Sequence, residues 1–188
     1  EEDSLVVAGN FEAFEAMEDF IFNHDLSLNS NYEQAAKLVD VNNMADVFIV
    51  MTALNNSDWI HNNLKYWREQ KEDAKWRYFV FDLDAAMYRF PWTKWTYDTF
   101  GNKMVTYQDT NRHVNIFKAF LENENFRHFF INRYADLLNT TFLPEQFSLE
   151  VGRTVEEIDY DMQKHFEHWP WPGYGSWRNE KIPVVYEY

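Results

Sequence analysis

The sequence predicts a mainly α fold of the α+β class, in which helices carry one small β-hairpin. Apolar residues recur every three or four positions in the first 56 residues and again beyond residue 112, which is the helical period. Between these zones lie two aromatic-rich runs joined by a mostly polar segment, a pattern typical of a hairpin. Apolar residues make up 46% of the 188 positions, so the chain has the material for one sizeable core.

The first zone is expected to form three helices. The first helix has an apolar stripe at helical spacing, formed by Phe11, Phe14, Met17 and Ile21. Asn31 is expected to cap the second helix, because an Asn side chain readily accepts hydrogen bonds from the first backbone N–H groups of a helix. Asn43 is expected to cap the third helix for the same reason.

The middle zone is expected to contain the hairpin and then a long loop. Residues 64–67 and 76–81 are the two predicted strands. Residues 85–112 show no clean period and include Pro91 and Gly101, so they are predicted to be an ordered loop. A loop of this length inside a compact domain is often functional.

The last zone is expected to be helical again. Two helices precede Pro144 and a third follows it, with Gly152 as a candidate break in the third. The tail from Trp169 is rich in Pro and Gly and is therefore predicted to be irregular.

The charge and composition exclude several classes of function. Asp and Glu number 31 and Lys and Arg number 17, for a net charge of −14, which disfavours a nucleic-acid-binding surface. The absence of Cys excludes disulfides and thiolate catalysis. No apolar run approaches the ~20 residues that cross a bilayer, so no direct membrane insertion is expected. Because the first residue is Glu1 rather than Met, we expect the chain to be a piece of a longer protein.

Asp82 and Asp84 directly follow the second predicted strand. Strand residues two positions apart point to the same side, so the two carboxylates are expected to face one point. Like charges held that close repel unless a cation lies between them, and Mg²⁺ or Mn²⁺ prefers such oxygen ligands. The alternative is a turn in which both carboxylates face water or accept backbone hydrogen bonds.

Asp58 lies in a polar stretch, residues 55–63, between the third helix and the first strand. Asn63 follows it at the separation found between the catalytic Asp and the metal-binding Asn of protein kinases. Asp82 and Asp84 then stand where kinases place a further metal ligand, after the next hairpin. The alternative is that the Asn-rich loop only forms Asx turns.

The pattern continues on both sides of these residues. The middle zone reads Asp58-Trp59-x-x-Asn62-Asn63-x-Lys65-x-Trp67-Arg68, then Trp76-Arg77 and Asp82-x-Asp84. The last zone contains Phe126-Arg127, Phe130, Arg133-Tyr134, Asp136-Leu137-Leu138-Asn139-Thr140 and Phe142, then Met162, His165 and Trp169. Over residues 55–169 the chain resembles the spore coat protein CotH kinase family, whose members are atypical protein kinases.

The resemblance implies a domain like a kinase C-terminal lobe, with metal-dependent transfer of a phosphoryl group from ATP to Ser or Thr of a protein substrate. By position, Asp58 would be the catalytic base. Asn62 and Lys65 would contact the nucleotide, and the metal ligands would be Asn63, Asp82 and Asp84. The cofactors implied are Mg²⁺ or Mn²⁺ and ATP. An extracellular, cell-surface or spore-associated location follows from the family alone.

The resemblance also implies that residues 1–188 are one domain without the nucleotide-gripping lobe. The five glycines form no phosphate-binding loop, and no strand carries a kinase-like Lys. The isolated chain is therefore expected to be weakly active or inactive. The family commonly has Phe-Gly after its Asp-x-Asp, whereas this chain has Ala85-Ala86-Met87-Tyr88.

The alternative function is a non-catalytic, exported module that binds protein or glycan, or a structural coat component. Aromatic residues make up 19% of the chain, and they are dense in residues 92–95 and 169–177. A continuous exposed aromatic platform would favour this function. So would an acidic cluster that is neutralised by Arg68 or Arg77.

Overall fold

The computed structural model describes residues 8–87 and 96–187. The predicted fold class is confirmed, because the chain is mostly helical with one small antiparallel sheet. The elements of the main body are α1 (Glu12–Asn23), α2 (Asn29–Leu38), α3 (Val41–Ala53), β1 (Lys65–Trp67), β2 (Arg77–Phe79), α4 (Thr99–Thr106), α5 (Arg112–Glu122) and α6 (Glu124–Leu138). The C-terminal elements are α7 (Pro144–His168), α8 (Tyr174–Ser176), a π-helical turn (Trp177–Lys181) and α9 (Ile182–Glu187).

The hairpin is shorter than predicted and is anchored to the helices. β1 and β2 pair antiparallel, with Tyr66 opposite Tyr78. Trp76 leaves this pairing and instead forms a parallel bridge with Val39. Its N–H donates to Leu38 O at 2.8 Å, and its carbonyl accepts from Asp40 N at 2.9 Å. The hairpin is thus fixed to the junction between α2 and α3.

The two predicted helix caps are wrong. Asn31 lies inside α2, and its side chain donates to Asp25 O at 2.9 Å instead of capping. Asp40 caps α3 by accepting from Asn43 N at 3.2 Å. The Asn43 side chain bonds the backbone of Tyr78 in both directions, at 2.6 Å and 3.2 Å. A long-range contact with β2 therefore determines the role of Asn43.

A helix replaces part of the predicted loop. α4 begins after Asp98, whose carboxylate caps it by accepting from Gly101 N at 2.8 Å. The buried face of this short helix mixes the polar Thr99 and Lys103 with the apolar Met104, so its apolar period is weak in the sequence. The same loop prediction includes residues 88–95, among them Pro91 and the Trp residues at 92 and 95. These residues lie outside the described part of the chain.

The C-terminal part is also more regular than predicted. α7 runs through Gly152 without a break, since one glycine in a helix interior costs only about 1 kcal/mol relative to Ala. The tail forms short helices over residues 174–187 rather than an irregular segment. These helices fold back on α7, where Tyr174 Oη donates to Asp159 Oδ1 at 2.8 Å. No helix among the described residues has the length and apolar character to cross a membrane.

Aromatic rings form the core beneath the hairpin and the loop that precedes it. Phe48 of α3 stacks on Phe117 of α5, with ring centroids 4.0 Å apart. The indole of Trp59 meets Phe48 edge to face at 4.9 Å. All three side chains are fully buried. The residue after Asp58 is therefore packed into the core, which holds the loop in place.

Asn123, the cap of α6, is fully buried and joins distant parts of the chain. Its Oδ1 accepts from Asn125 N at 3.0 Å and from Phe126 N at 3.3 Å. Its Nδ2 donates to Leu26 O at 3.0 Å and to Asn29 Oδ1 at 3.1 Å. We expect Asn123→Ala to lower the free energy of unfolding by about 2 kcal/mol, because a cap is lost and buried groups lose their partners.

Urea unfolding followed by circular dichroism measures this effect. The matched control is Asn139→Ala, which removes an exposed Asn whose side chain, among the described residues, donates to Ala135 O of the same helix. Its effect is expected to stay within about 0.5 kcal/mol, as for other exposed positions. Equal losses in the two variants would contradict the proposed role of Asn123.

Candidate active site

Asp58 is oriented by the two Asn residues that follow it. Its Oδ1 accepts from Asn62 Nδ2 at 2.9 Å, and its Oδ2 accepts from Asn63 Nδ2 at 2.9 Å. His61 Nε2 lies 3.5 Å from Oδ1. The Asp58 side chain is 38% exposed, so a molecule in solvent can reach it. The loop therefore brings together three of the predicted site residues.

The Asn63 side chain is oriented by its bond to Asp58 and by an unusual backbone conformation. Its φ of 52° is in the left-handed region, which Asn tolerates better than most residues. Because its Nδ2 donates to Asp58, the acceptor end of the amide, Oδ1, points elsewhere. An amide oxygen is the atom type that an Asn contributes to a hard cation such as Mg²⁺.

Asn56 ties this loop to the segment that carries the two acidic residues. It is fully buried, and its Oδ1 accepts from Asp58 N at 3.1 Å. Its Nδ2 donates to Asp82 O at 2.9 Å. Ser57 adds two bonds, because its N–H and its hydroxyl both donate to Ala85 O at 3.1 Å. The backbone before Asp58 is thus joined directly to residues 82–85.

Asp82 and Asp84 have exposed side chains, but they lie beyond β2, which ends at Phe79. Asp82 has a left-handed φ of 54°, so the strand alternation from which their common direction was predicted does not apply to them. Among residues 8–87 and 96–187, no three His, Asp and Glu side chains are close enough to hold a metal. The predicted ligand set contains only two carboxylates, with the amide of Asn63 as the third member. This ligand set stays a prediction.

Unusual backbone conformations concentrate in the same two segments. In the described parts of the chain, the non-glycine residues with positive φ are Asn55, Asn63, Asp82 and Met87. Such conformations persist where the surrounding structure enforces them, and they cluster at functional sites. Ala85 and Ala86, which replace the Phe-Gly of the resembled family, are buried. The left-handed conformations flank them, at Asp82 and Met87.

The two predicted nucleotide contacts lie at different places. Asn62 is engaged with Asp58, as described above. Lys65 is exposed on the outer face of the hairpin, where its ammonium lies 3.5 Å from the centroid of the Phe81 ring. On that face Trp67 stacks with Phe79, at 6.1 Å between ring centroids. The hairpin therefore presents a cation and several rings to solvent beside the acidic segment.

The two arginines that were considered as partners for the acidic residues have other contacts. Arg77 forms an ion pair with Asp40 at 2.7 Å. Arg68 donates to the backbone carbonyls of Lys71 and Ala74, each at 2.9 Å. These contacts brace the hairpin and its turn.

Lys103 of α4 was not among the residues predicted for the site. Its ammonium donates to Ser57 O at 2.8 Å, and the residue is only 5% exposed. Burial lowers the pKa of Lys103 to about 8, while the nearby Asp58 carboxylate opposes this shift. Burial and Asp58 both raise the pKa of Tyr107, which stacks on His61 at 5.2 Å. The available signal was the helical spacing of Thr99, Lys103 and Tyr107.

A family model described as CotH kinase protein matches residues 3–188, which is nearly the whole chain. The match extends well beyond residues 55–169, where the motifs lie. No curated protein and no solved structure matches the chain.

Proposed function

The chain belongs to the CotH kinase protein family, and we propose that it forms the catalytic lobe for metal-dependent phosphoryl transfer from ATP to Ser or Thr of a protein. The observation that carries the proposal is the Asp58 carboxylate, which is held by two amides at 2.9 Å. Its loop is bonded to the backbone of the Asp82–Asp84 segment through Asn56. These bonds support the proposal because they hold the Asp58 loop against the segment that carries the two acidic residues.

In this mechanism Asp58 accepts the proton of the substrate hydroxyl as its oxygen bonds to the γ-phosphorus of ATP. The bond from that phosphorus to the β–γ bridging oxygen breaks at the same time, and ADP leaves. Each carboxylate oxygen already accepts one amide N–H and keeps a further acceptor site. The two amides fix the direction of the carboxylate, so little reorganisation is needed during transfer. The buried Trp59 on one side and Asn56 on the other hold the backbone of Asp58.

The donor set fits a hard divalent cation. The Asn63 amide oxygen and the carboxylates of Asp82 and Asp84 would hold Mg²⁺ or Mn²⁺. A bound cation would neutralise the charge that develops on the phosphate oxygens. Lys65 is proposed to attract the phosphates as an exposed point charge, with Asn62 lining the approach. The nucleotide would also need a second lobe, which is proposed to lie outside this domain.

Calorimetric titration tests the cation site. Mn²⁺ is added to the protein with a non-hydrolysable ATP analogue, because Mg²⁺ and Mn²⁺ sites of kinases include substrate phosphates. We expect saturable binding that Asp82→Asn/Asp84→Asn weakens at least about tenfold, because two oxygen ligands lose their charge.

The control is Asp73→Asn/Asp109→Asn, which removes two exposed carboxylates and changes the net charge equally. It is expected to bind like the wild type. Equal binding by all three proteins would show that the cation does not use Asp82 and Asp84. The absence of binding in the whole protein with the nucleotide would refute the kinase proposal.

We propose an extracellular or spore-surface location and a protein substrate, because the family is associated with the spore coat. A strongly acidic protein, with a net charge of −14, would favour acceptor proteins with basic surfaces.

The second candidate function is a binding module, and the exposed tryptophans favour it. Trp171 is 87% exposed and Trp169 is 59% exposed, beyond the end of α7. Large rings in solvent are common at recognition surfaces. Binding of a fluorescently labelled coat protein or glycan, measured by the anisotropy of the label and abolished in Trp169→Ala/Trp171→Ala, would support this function. It would become the main function if the cation titration fails.

A further inference from the structure

We propose that Lys103 is a positioning residue for Asp58, because its buried ammonium holds the Ser57 carbonyl and thereby the backbone that presents the Asp58 carboxylate. The catalytic consequence of this inference rests on the proposed function. The structural part, a dependence of the Asp58 loop on Lys103, does not.

The peptide groups around Ser57 are held from two sides. Lys103 Nζ donates to Ser57 O at 2.8 Å. The Ser57 N–H donates to Ala85 O at 3.1 Å, and the hydroxyl donates to the same oxygen. Ser57 O belongs to the peptide bond whose N–H is that of Asp58, and this N–H donates to Asn56. The ammonium therefore acts one peptide bond away from the base.

The position of α4 makes this contact possible. Asp98 caps the helix, and Thr99 at its start donates to the Asn55 side chain. Asn55 and Ser57 lie in the same short segment, so α4 is attached to that segment at both Thr99 and Lys103. The bonds at Asn55 and Ser57 keep the ammonium aligned with the loop rather than leaving it as a mobile surface charge.

A buried lysine destabilises the folded protein unless its ammonium has interaction partners. Taking an ammonium out of water disfavours its charged form, and the lowered pKa of Lys103 expresses this. The Asp58 carboxylate partly compensates. The ring of Tyr107 also lies near, with its centroid 5.3 Å from Nζ. The cation is thus stabilised by the group that it helps to position.

The first test compares Lys103→Met with wild type in phosphoryl transfer by the whole protein. We expect kcat to fall by about 10- to 100-fold, because small displacements of a catalytic group cost this much. KM for ATP is expected to stay unchanged, because the proposed nucleotide contacts are not altered. Lys118→Met is the control, since Lys118 bonds only the exposed Gln108 side chain among its described partners, at 3.0 Å. A wild-type kcat in Lys103→Met would overturn the proposal.

The second test needs no activity. NMR of the side-chain amides of Asn62 and Asn63 reports whether their bonds to Asp58 persist. We expect both signals to shift in Lys103→Met and to stay in place in Lys118→Met. Unchanged amide signals in Lys103→Met would overturn the proposal even if the protein proves not to be a kinase. If the wild type transfers no phosphate, the kinase proposal fails and this test alone decides.

A third measurement avoids substitution of Lys103, in case that variant does not fold. The Asp58 carboxylate raises the pKa of Lys103. In Asp58→Asn, the pKa of Lys103 followed by its Cε and Nζ NMR signals is therefore expected to fall below the wild-type value. An unchanged pKa would show that the two groups are not coupled, and it would overturn the proposal.

Discussion

Replacing Asp58 by Asn is expected to lower phosphoryl transfer by about 10²- to 10⁴-fold, the usual contribution of a general acid or base. Asn has the same shape but cannot take the proton of the substrate hydroxyl. The new Asn side chain has an NH₂ group in place of one carboxylate oxygen. An NH₂ group cannot accept a hydrogen bond, so one of the two bonds from Asn62 and Asn63 is lost. Transfer of labelled phosphate from ATP to a protein acceptor by the whole protein measures the effect.

Two controls separate chemistry from folding. Asp109→Asn removes an exposed carboxylate outside the site and is expected to keep wild-type activity. The thermal midpoint of Asp58→Asn is expected to stay near that of wild type, because Asp58 is partly exposed and Trp59 anchors the loop. An Asp58→Asn protein that keeps more than about a third of the wild-type rate would exclude Asp58 as the base.

The part of the site that sequence reasoning predicted is local. Asp58, Asn62 and Asn63 were grouped from their spacing in one short loop, and the structure places them together. The bonds from the two amides to the Asp58 carboxylate were not predicted, and the nucleotide and metal roles of Asn62 and Asn63 stay predictions. The approach of Asp82 to this loop was predictable because a hairpin returns the chain to its starting point. Hairpin pairing is the simplest long-range contact to read from a sequence.

The residues that sequence reasoning missed depend on packing between distant segments. Lys103 reaches Ser57 across 46 positions, and Asn56 reaches Asp82 across 26. Neither side chain belongs to an apolar pattern, so periodicity could not mark them as buried. α4 has only 8 residues, and its inner face mixes Thr99 and Lys103 with Phe100 and Met104, so its apolar spacing is too short to stand out in the sequence. Buried polar residues that serve long-range bonds look like loop residues in a sequence.

The second large effect is expected in acid, from a buried pair under the hairpin. His113 is 3% exposed, and its Nδ1 lies 3.1 Å from Tyr78 Oη. Burial raises the pKa of Tyr78, so the phenol keeps its proton and forms a hydrogen bond with the neutral imidazole. Burial also lowers the pKa of His113 to about 3, with Arg112 contributing in the same direction. The folded protein therefore resists protonation of this ring.

The unfolded chain has no such resistance, because a solvated His titrates near pH 6.5. Below that pH, His113 binds a proton in the unfolded state but not in the folded state. The free energy of unfolding therefore falls by about 1.4 kcal/mol for each unit by which the pH falls. The free energy of unfolding is expected to fall by about 3 kcal/mol from pH 6.5 to pH 4. Above pH 7 this effect of His113 is absent. Urea unfolding at a series of pH values measures it.

His113→Gln identifies the group responsible. This variant is expected to be less stable than wild type at pH 7, because it loses packing and the Tyr78 bond, but its stability should decline less between pH 6.5 and 5. In that range few carboxylates titrate, so the buried His dominates the slope. His128→Gln removes an exposed ring and is expected to keep the wild-type slope. A His113→Gln protein with the wild-type slope would mean that His113 takes up its proton equally well in the folded and unfolded states, which its burial and its bond to Tyr78 argue against.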